Sequence, residues 1–180
     1  MVIEGSIFRL RPWREDDIAA VMKYADNRKV WRNLGNRFPS PYTEADAREW
    51  LPKAISTADT TFAIEVDGEA VGGIGYELLE GLFPRVGQLG YWLGEPFWGR
   101  GIATEAVGLV TATAIASKGL LRMQAYVYEW NPASGRVLEK NGYQLEGRLR
   151  RAVEKDGAVI DVLLYGYVQS ARSAAGLLKL

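Results

Sequence analysis

The stretch Gly90-Tyr-Trp-Leu-Gly-Glu-Pro-Phe-Trp-Gly-Arg-Gly-Ile-Ala-Thr-Glu-Ala106 joins a strand to a helix through a glycine-rich turn. That arrangement suits an anion. The first backbone N–H groups of a helix lack intrahelical partners and the helix macrodipole is positive there, so Gly99, Arg100, Gly101, Ile102, Ala103 and Thr104 can cradle a pyrophosphate without any net basic patch. Glycine lets the backbone approach closely. Glycine-led turns also cap helices for packing reasons, so this segment alone leaves both readings open.

Composition removes several other chemistries. The 180 residues contain neither cysteine nor histidine, which excludes disulfides, thiolate or imidazole metal sites, a cysteine nucleophile and any Ser-His-Asp relay. Acid–base work falls to Glu, Asp, Tyr, Ser or water, and no metal site is expected. Lysine plus arginine (22) equals aspartate plus glutamate (22), so bulk charge does not draw the chain to nucleic acid or to an anionic membrane. No run approaches the roughly 20 apolar residues that cross a bilayer, and the expectation is one cytoplasmic domain over residues 1–180.

The elements that must position the turn follow from period and punctuation. Ile7, Leu10 and the flanking arginines are expected as a short strand stopped by Pro12, and a helix runs from Asp16 and Asp17 to about Tyr24 or Ala25. A second helix opens at the Thr43–Asp46 capping box and continues to Pro52. Phe62 to Val66 and Ala70 to Tyr76 flank Asp67-Gly68 as a hairpin, and Val86 to Leu93 is the next strand. After Gly101, Ala103, Ala106, Val107, Val110 and Ala114 make the apolar stripe of a helix that ends near Gly119. Met123 to Tyr128 resumes the sheet, Asn131-Pro132 starts a helix that ends at Gly142, and Tyr143 to Val153 pairs with Ala158 to Val168 around Lys155-Asp156-Gly157. The residues from 170 to 180 are expected to be a frayed tail.

Two stretches carry a resemblance: Trp98-Gly-Arg-Gly-Ile-Ala103-Thr-Glu-Ala106, and Asn131-Pro-Ala-Ser134 through Asn141-Gly-Tyr143, preceded by Leu10-Arg-Pro-Trp-Arg-Glu-Asp-Asp17. In this order they resemble the general-control-related N-acetyltransferase (GNAT) superfamily, and most closely its ribosomal-protein alanine and serine N-acetyltransferase branch (RimJ/RimL type). The resemblance implies an α+β fold: a strongly twisted, mostly antiparallel mixed sheet, flanked by about four helices, in which two central parallel strands, Val86 to Leu93 and Met123 to Tyr128, splay apart. It implies acetyl-coenzyme A as cosubstrate and a primary amine, on a protein N-terminus or a small molecule, as acceptor. A homodimer is compatible with it.

Site residues follow from the same resemblance. Ser134 matches a serine near the coenzyme A sulfur and is the catalytic candidate; the competing reading is a solvated serine in a helix's first turn. Trp92 is a candidate for coenzyme A binding, and Leu93 and Gly94 are implicated through their backbone, as unpaired N–H groups of a splayed strand that bind pantetheine amides and polarise the thioester carbonyl. Trp98 to Thr104 hold the pyrophosphate. Asn131 caps its helix and touches the pantetheine, and Arg100, Arg136 and Lys140 are candidate phosphate partners or ordinary surface cations. Leu138 stands where several relatives carry a tyrosine thought to protonate the thiolate, so that role does not transfer. Trp31, Asn33, Arg37 and Phe38 lie in the loop that helps form the acceptor site in the superfamily, with aromatic packing as the alternative.

Two other functions compete. A dinucleotide-binding enzyme would use Gly99 to Thr104 as its phosphate turn, but at least three strands precede that turn and Thr104 replaces the third glycine. A coenzyme A-binding sensor would keep the cleft without turnover.

Overall fold

Two apolar faces laid on one sheet organise the chain, as seen in a computed structural model that describes residues 1–169; the expected frayed tail lies outside the described residues. The strands are β1 (Ile3–Glu4), β2 (Arg9–Arg11), β3 (Thr61–Val66), β4 (Glu69–Leu78), β5 (Val86–Leu93), β6 (Arg122–Tyr128), β7 (Gln144–Lys155) and β8 (Ala158–Val168). They form one eight-stranded sheet in the order β1-β2-β3-β4-β5-β6-β8-β7. Every neighbouring pair is antiparallel except β5 and β6. The parallel pair has register only from Val86↔Arg122 to Gln88↔Gln124, after which the two strands part.

The helices are α1 (Ile18–Ala25), α2 (Arg28–Trp31), α3 (Glu44–Ser56), α4 (Ile102–Lys118) and α5 (Pro132–Glu139). Among the described residues there are five α-helices where about four were expected, because α2 forms inside the first loop, where the Asn27 side chain caps it by accepting from the Lys29 N–H. Ile102, Ala106, Val107 and Val110 of α4 and Leu138 of α5 bury one face of the sheet against Leu89, Leu93, Met123, Ala125 and Val127. On the other face, Val21 and Ala25 of α1 and Ala47, Leu51 and Ala54 of α3 pack with Trp13, Ala63 and Ala70.

Two sequence expectations need correction. The helix α3 does not stop at Pro52 but continues to Ser56. Proline removes one N–H and crowds the carbonyl four residues earlier, yet Arg48 is exposed, so its carbonyl meets water, and Leu51 and Ala54 bury apolar surface on both sides of the proline. The second correction is β1, a two-residue strand that extends the sheet beyond the expected first strand and is too short to carry a period.

On β4, Gly73 leaves room for two large side chains. A Cβ on Gly73 would sit 2.8 Å from Trp92 Nε1 and 3.0 Å from the Trp13 ring. The register of β4 on β3 skips Val71 between Ile64↔Gly72 and Glu65↔Ala70, a bulge that turns the Val71 carbonyl toward the end of β5.

The N-terminal segment is tied to the sheet by a buried ion cluster. Arg11, 2 % exposed, donates to both carboxylate oxygens of Asp17 (2.7 and 2.8 Å) and to Glu65. Asp17 leads into α1, and Glu65 lies on β3, so one guanidinium fixes α1 over the sheet. The Asp17 hydrogen bond raises the Arg11 pKa above its ordinary value against the opposing effect of burial. Burial pushes Glu65 up, but hydrogen bonds from Arg11 and Arg9 outweigh it and hold the carboxyl below its ordinary value. Arg11→Met would strand two buried carboxylates, and equilibrium urea unfolding should report a loss of about 3–5 kcal/mol; a loss below about 1 kcal/mol would contradict the cluster's role. Since Glu65 is depressed, its stabilisation is present above the ordinary carboxylate range and disappears as the pH falls through its folded value.

Candidate active site

Where β5 leaves β6, the backbone groups of both strands face a gap. The Gly94 N–H donates to the Val71 carbonyl at 2.8 Å, which makes Gly94, Trp92 and Gly90 the hydrogen-bonded positions against β4. The N–H groups of Tyr91 and Leu93 therefore point the other way, toward β6. The Glu129 N–H donates to Asp161 O at 3.1 Å, so by the same parity Tyr126 and Tyr128 turn their backbone groups from β8 toward β5. Between these edges lies a cleft of about 610 Å³, within the range of small-molecule sites.

Gly94 thus differs from the sequence expectation. Its N–H is committed to Val71 and its carbonyl accepts from the Phe97 N–H at 3.0 Å, so neither is free for a ligand. Trp92 offers its side chain rather than an amide. Of the three positions, Leu93 alone presents its N–H to the gap.

The turn after β5 is built for its backbone. Gly99 (φ 74°) and Gly101 (φ 81°) adopt left-handed conformations, and a Cβ at either would meet nothing within 4 Å, so glycine is needed for conformation and not for space. The Trp98 indole N–H donates to the Leu93 carbonyl at 2.7 Å and folds the turn back onto the strand end. Tyr24 of α1 supports the same corner, with its ring edge-on to Phe97 at 5.4 Å. Among the described residues, no acceptor takes a hydrogen bond from the N–H groups of Gly99 through Thr104. Successive free N–H groups at a helix start form a concave anion receptor.

Helix α5 supplies the opposite wall. Asn131 caps it by accepting from the Ser134 N–H at 3.3 Å. The Asn141 side chain donates to the carbonyls of Thr104 and Val137, both at 2.9 Å, and so braces the first turn of α4 against α5. Ser134 Oγ lies 2.7 Å from Tyr91 Oη inside the cleft. Burial pushes the Tyr91 phenol up to about 12, against the lowering effect of the Ser134 bond. Sequence reasoning missed Tyr91. It shares a face of β5 with the buried Leu89 and Leu93, a pattern that reads as core, and only the placement of α5 reveals that it faces Ser134.

The other expected residues divide. Trp92, Leu93, Trp98, Gly99, Gly101, Ile102, Ala103, Thr104, Asn131, Ser134, Arg136 and Lys140 line the cleft, as does Asn33. Among the described residues no carboxylate lies within ion-pair distance of Arg136 or Lys140, which suits cations that meet an external anion. Arg100 is not in the wall; its guanidinium lies 5.5 Å from the Phe97 ring centre. Trp31, Arg37 and Phe38 are not in the wall either. Trp31 stacks under Lys155 Nζ at 3.9 Å, Phe38 packs against Tyr42 and Trp92, and Arg37 is exposed. The loop reaches the cleft through Lys29, Val30, Asn33, Leu34 and Gly35 instead. It is held there by Asn36 Nδ2 to Glu154 O (3.2 Å) and by the Tyr128 hydroxyl to Leu34 O (3.3 Å).

Among the described residues no aspartate or glutamate lines the cleft. Glu129 accepts from the Asp161 N–H at 2.9 Å and from Arg148, and Glu77 is exposed elsewhere. Burial raises the Tyr128 phenol above its ordinary value, which leaves it a poor proton acceptor near neutrality. Among the described residues there is no group of three or more His, Cys, Asp or Glu that could hold a metal ion, and no helix long and apolar enough to cross a membrane.

Comparison with known proteins agrees with this architecture. Residues 8–144 match the family described as acetyltransferase (GNAT) domain. The ribosomal-protein-serine acetyltransferase of Escherichia coli is 33 % identical over 159 residues, covering 86 % of this chain and 88 % of that one. The structure of Mycobacterium smegmatis RimJ in complex with CoA-disulfide is 28 % identical with a TM-score of 0.79, covering 94 % of this chain and 88 % of its own. A Bacillus anthracis acetyltransferase at 22 % identity shares the fold, with a TM-score of 0.82 over 93 % of this chain and 98 % of its own.

The nest of free N–H groups generates a prediction that needs no knowledge of the full ligand. Adenosine diphosphate titrated into isotopically labelled protein should shift the amide resonances of Gly99 through Thr104. Gly101→Ala, which forces a left-handed alanine at about 1–2 kcal/mol, should weaken that binding about tenfold. Unmoved resonances, or equal affinity in the variant, would contradict the anion receptor.

Proposed function

The chain belongs to the acetyltransferase (GNAT) domain family, and from that premise we propose that it transfers an acetyl group from acetyl-coenzyme A to a primary amine within a ternary complex. One observation carries the proposal: Gly99 and Gly101 through Thr104, whose N–H groups are free among the described residues, line the same cleft as the unpaired edge of β5. Diphosphate recognition and thioester recognition then come from one continuous backbone surface.

Acetyl-coenzyme A supplies the activated acyl carbon and the thiolate leaving group. The turn Gly99 to Thr104 receives the diphosphate, with Arg136 and Lys140 as free cations on the same wall. The Leu93 N–H faces the gap and stabilises charge developing on the carbonyl oxygen. Ser134 donates a hydrogen bond to the departing sulfur. Both reactants bind together, because the chain has no cysteine thiol to carry the acetyl group. We place the reaction in the cytoplasm.

That no carboxylate among the described residues lines the cleft bears on the acceptor. An ammonium cannot attack a carbonyl, so the amine must arrive neutral or lose its proton to water. An α-amino group, with a pKa near 7.7–8.0, is substantially neutral at pH 7.5, whereas only about one lysine side chain in a thousand is. A peptide or amino-acid α-amine is therefore the favoured acceptor, and the absence of acidic side chains from the wall also disfavours polycations.

Thiol release measured with peptides bearing a free N-terminus, against N-blocked lysine peptides, should favour the α-amine by about two orders of magnitude in kcat/KM at pH 7.5. The rate should climb with pH up to about 8 as the acceptor deprotonates. Ser134→Ala should lower kcat by about a hundredfold, at the low end for proton-donor contributions. Efficient lysine acetylation, an acetyl-enzyme detected by mass spectrometry, or a fully active Ser134→Ala variant would each refute the corresponding part. Coenzyme A binding without turnover on any amine would favour a sensor.

A further inference from the structure

We propose that Tyr91 is a positioning residue: its hydroxyl donates to Ser134 Oγ and so frees the serine's own proton to point at the departing sulfur. The proposal rests on the role given to Ser134 above. Tyr91 Oη is 2.7 Å from Ser134 Oγ and 3.3 Å from the Ser134 carbonyl. The phenol has one proton and two acceptors, which defines two arrangements. If Tyr91 donates to the carbonyl, Ser134 Oγ–H donates back to Tyr91 and nothing is offered to the cleft. If Tyr91 donates to Oγ, the serine proton is released into the cleft.

Geometry and charge select between them. The carbonyl is the longer and weaker acceptor, and negative charge growing on sulfur rewards the arrangement in which Ser134 makes a charge-assisted hydrogen bond. Burial keeps the phenol proton in place across the neutral range, so Tyr91 is a fixed donor. Two walls of the cleft meet in this bond, since Tyr91 lies on β5 and Ser134 in the first turn of α5. The fully buried Leu138, on the same helix, offers no hydroxyl.

The balance is simple. A C–N bond forms and the C–S bond breaks; the amine nitrogen sheds one proton to solvent and sulfur takes one up. Tyr91 and Ser134 finish with the protons they began with.

The test compares Tyr91→Phe, Ser134→Ala and the double variant in steady-state kinetics with acetyl-coenzyme A, alongside thermal melting. Tyr91→Phe should lower kcat about tenfold, the scale of one hydrogen bond to a group that carries charge, while KM for acetyl-coenzyme A stays within about twofold. The double variant should be no slower than Ser134→Ala, because Tyr91 acts only through that serine. Multiplying losses, a change confined to KM, or full activity in Tyr91→Phe beside a slow Ser134→Ala would overturn the inference alone. Full activity in Ser134→Ala would instead remove the reading beneath it. Incorporating 3-fluorotyrosine at position 91 keeps the hydroxyl and makes it a stronger donor, so kcat should hold or rise even if the phenylalanine variant folds poorly; a fall would also overturn the inference.

Discussion

The structure depends on a sheet that fails to close. Parallel strands β5 and β6 share only three register pairs before separating, and each continues with backbone N–H and C=O groups aimed at the other across open space. An unmet buried polar group costs about 1–3 kcal/mol, so such an opening persists only where water or a ligand answers those groups. The surrounding elements hold the opening in shape. Helix α4 packs against β4 and β5, Ser134 of α5 meets Tyr91 of β5, and Asn141 joins the two helices.

This makes the site largely a property of main chain. In the proposed function, diphosphate recognition uses the free N–H groups of a left-handed turn and helix start, and recognition at the reacting end uses the edge of a strand. Side chains act as struts: the Trp98 indole ties the turn to Leu93, Tyr24 and Phe97 fill the corner beneath Gly94, and the Arg11 cluster holds α1 in place to support them. A chain with equal numbers of acidic and basic residues can thus meet a highly charged ligand, because the receptor's positive character comes from peptide dipoles.

Much of this architecture is legible in the sequence. Hairpin β3–β4 is announced by alternation around Asp67-Gly68 and β7–β8 by Lys155-Asp156-Gly157, and the glycines at 99 and 101 mark the turn. What escapes is information held between elements. The continuation of α3 through Pro52 depends on tertiary burial that a local rule does not see. Helix α2 has four residues, fewer than the period requires. Which amides of β5 are free depends on pairing parity with β4, so Leu93 and Gly94 are equivalent in sequence and opposite in the sheet. Tyr91, on the same side as buried leucines, is indistinguishable from core until α5 is seen to bring Ser134 to it, and the aromatic residues of the first loop turn out to be packed away from the cleft.

A crystal structure of the protein with coenzyme A would locate the diphosphate and the thiol. Diphosphate oxygens should accept from the N–H groups between Gly99 and Thr104, the pantetheine arm should run through the gap between β5 and β6 against the Leu93 amide, and the sulfur should lie beside Ser134. A diphosphate bound elsewhere, with that turn still facing water and the gap empty, would contradict this placement.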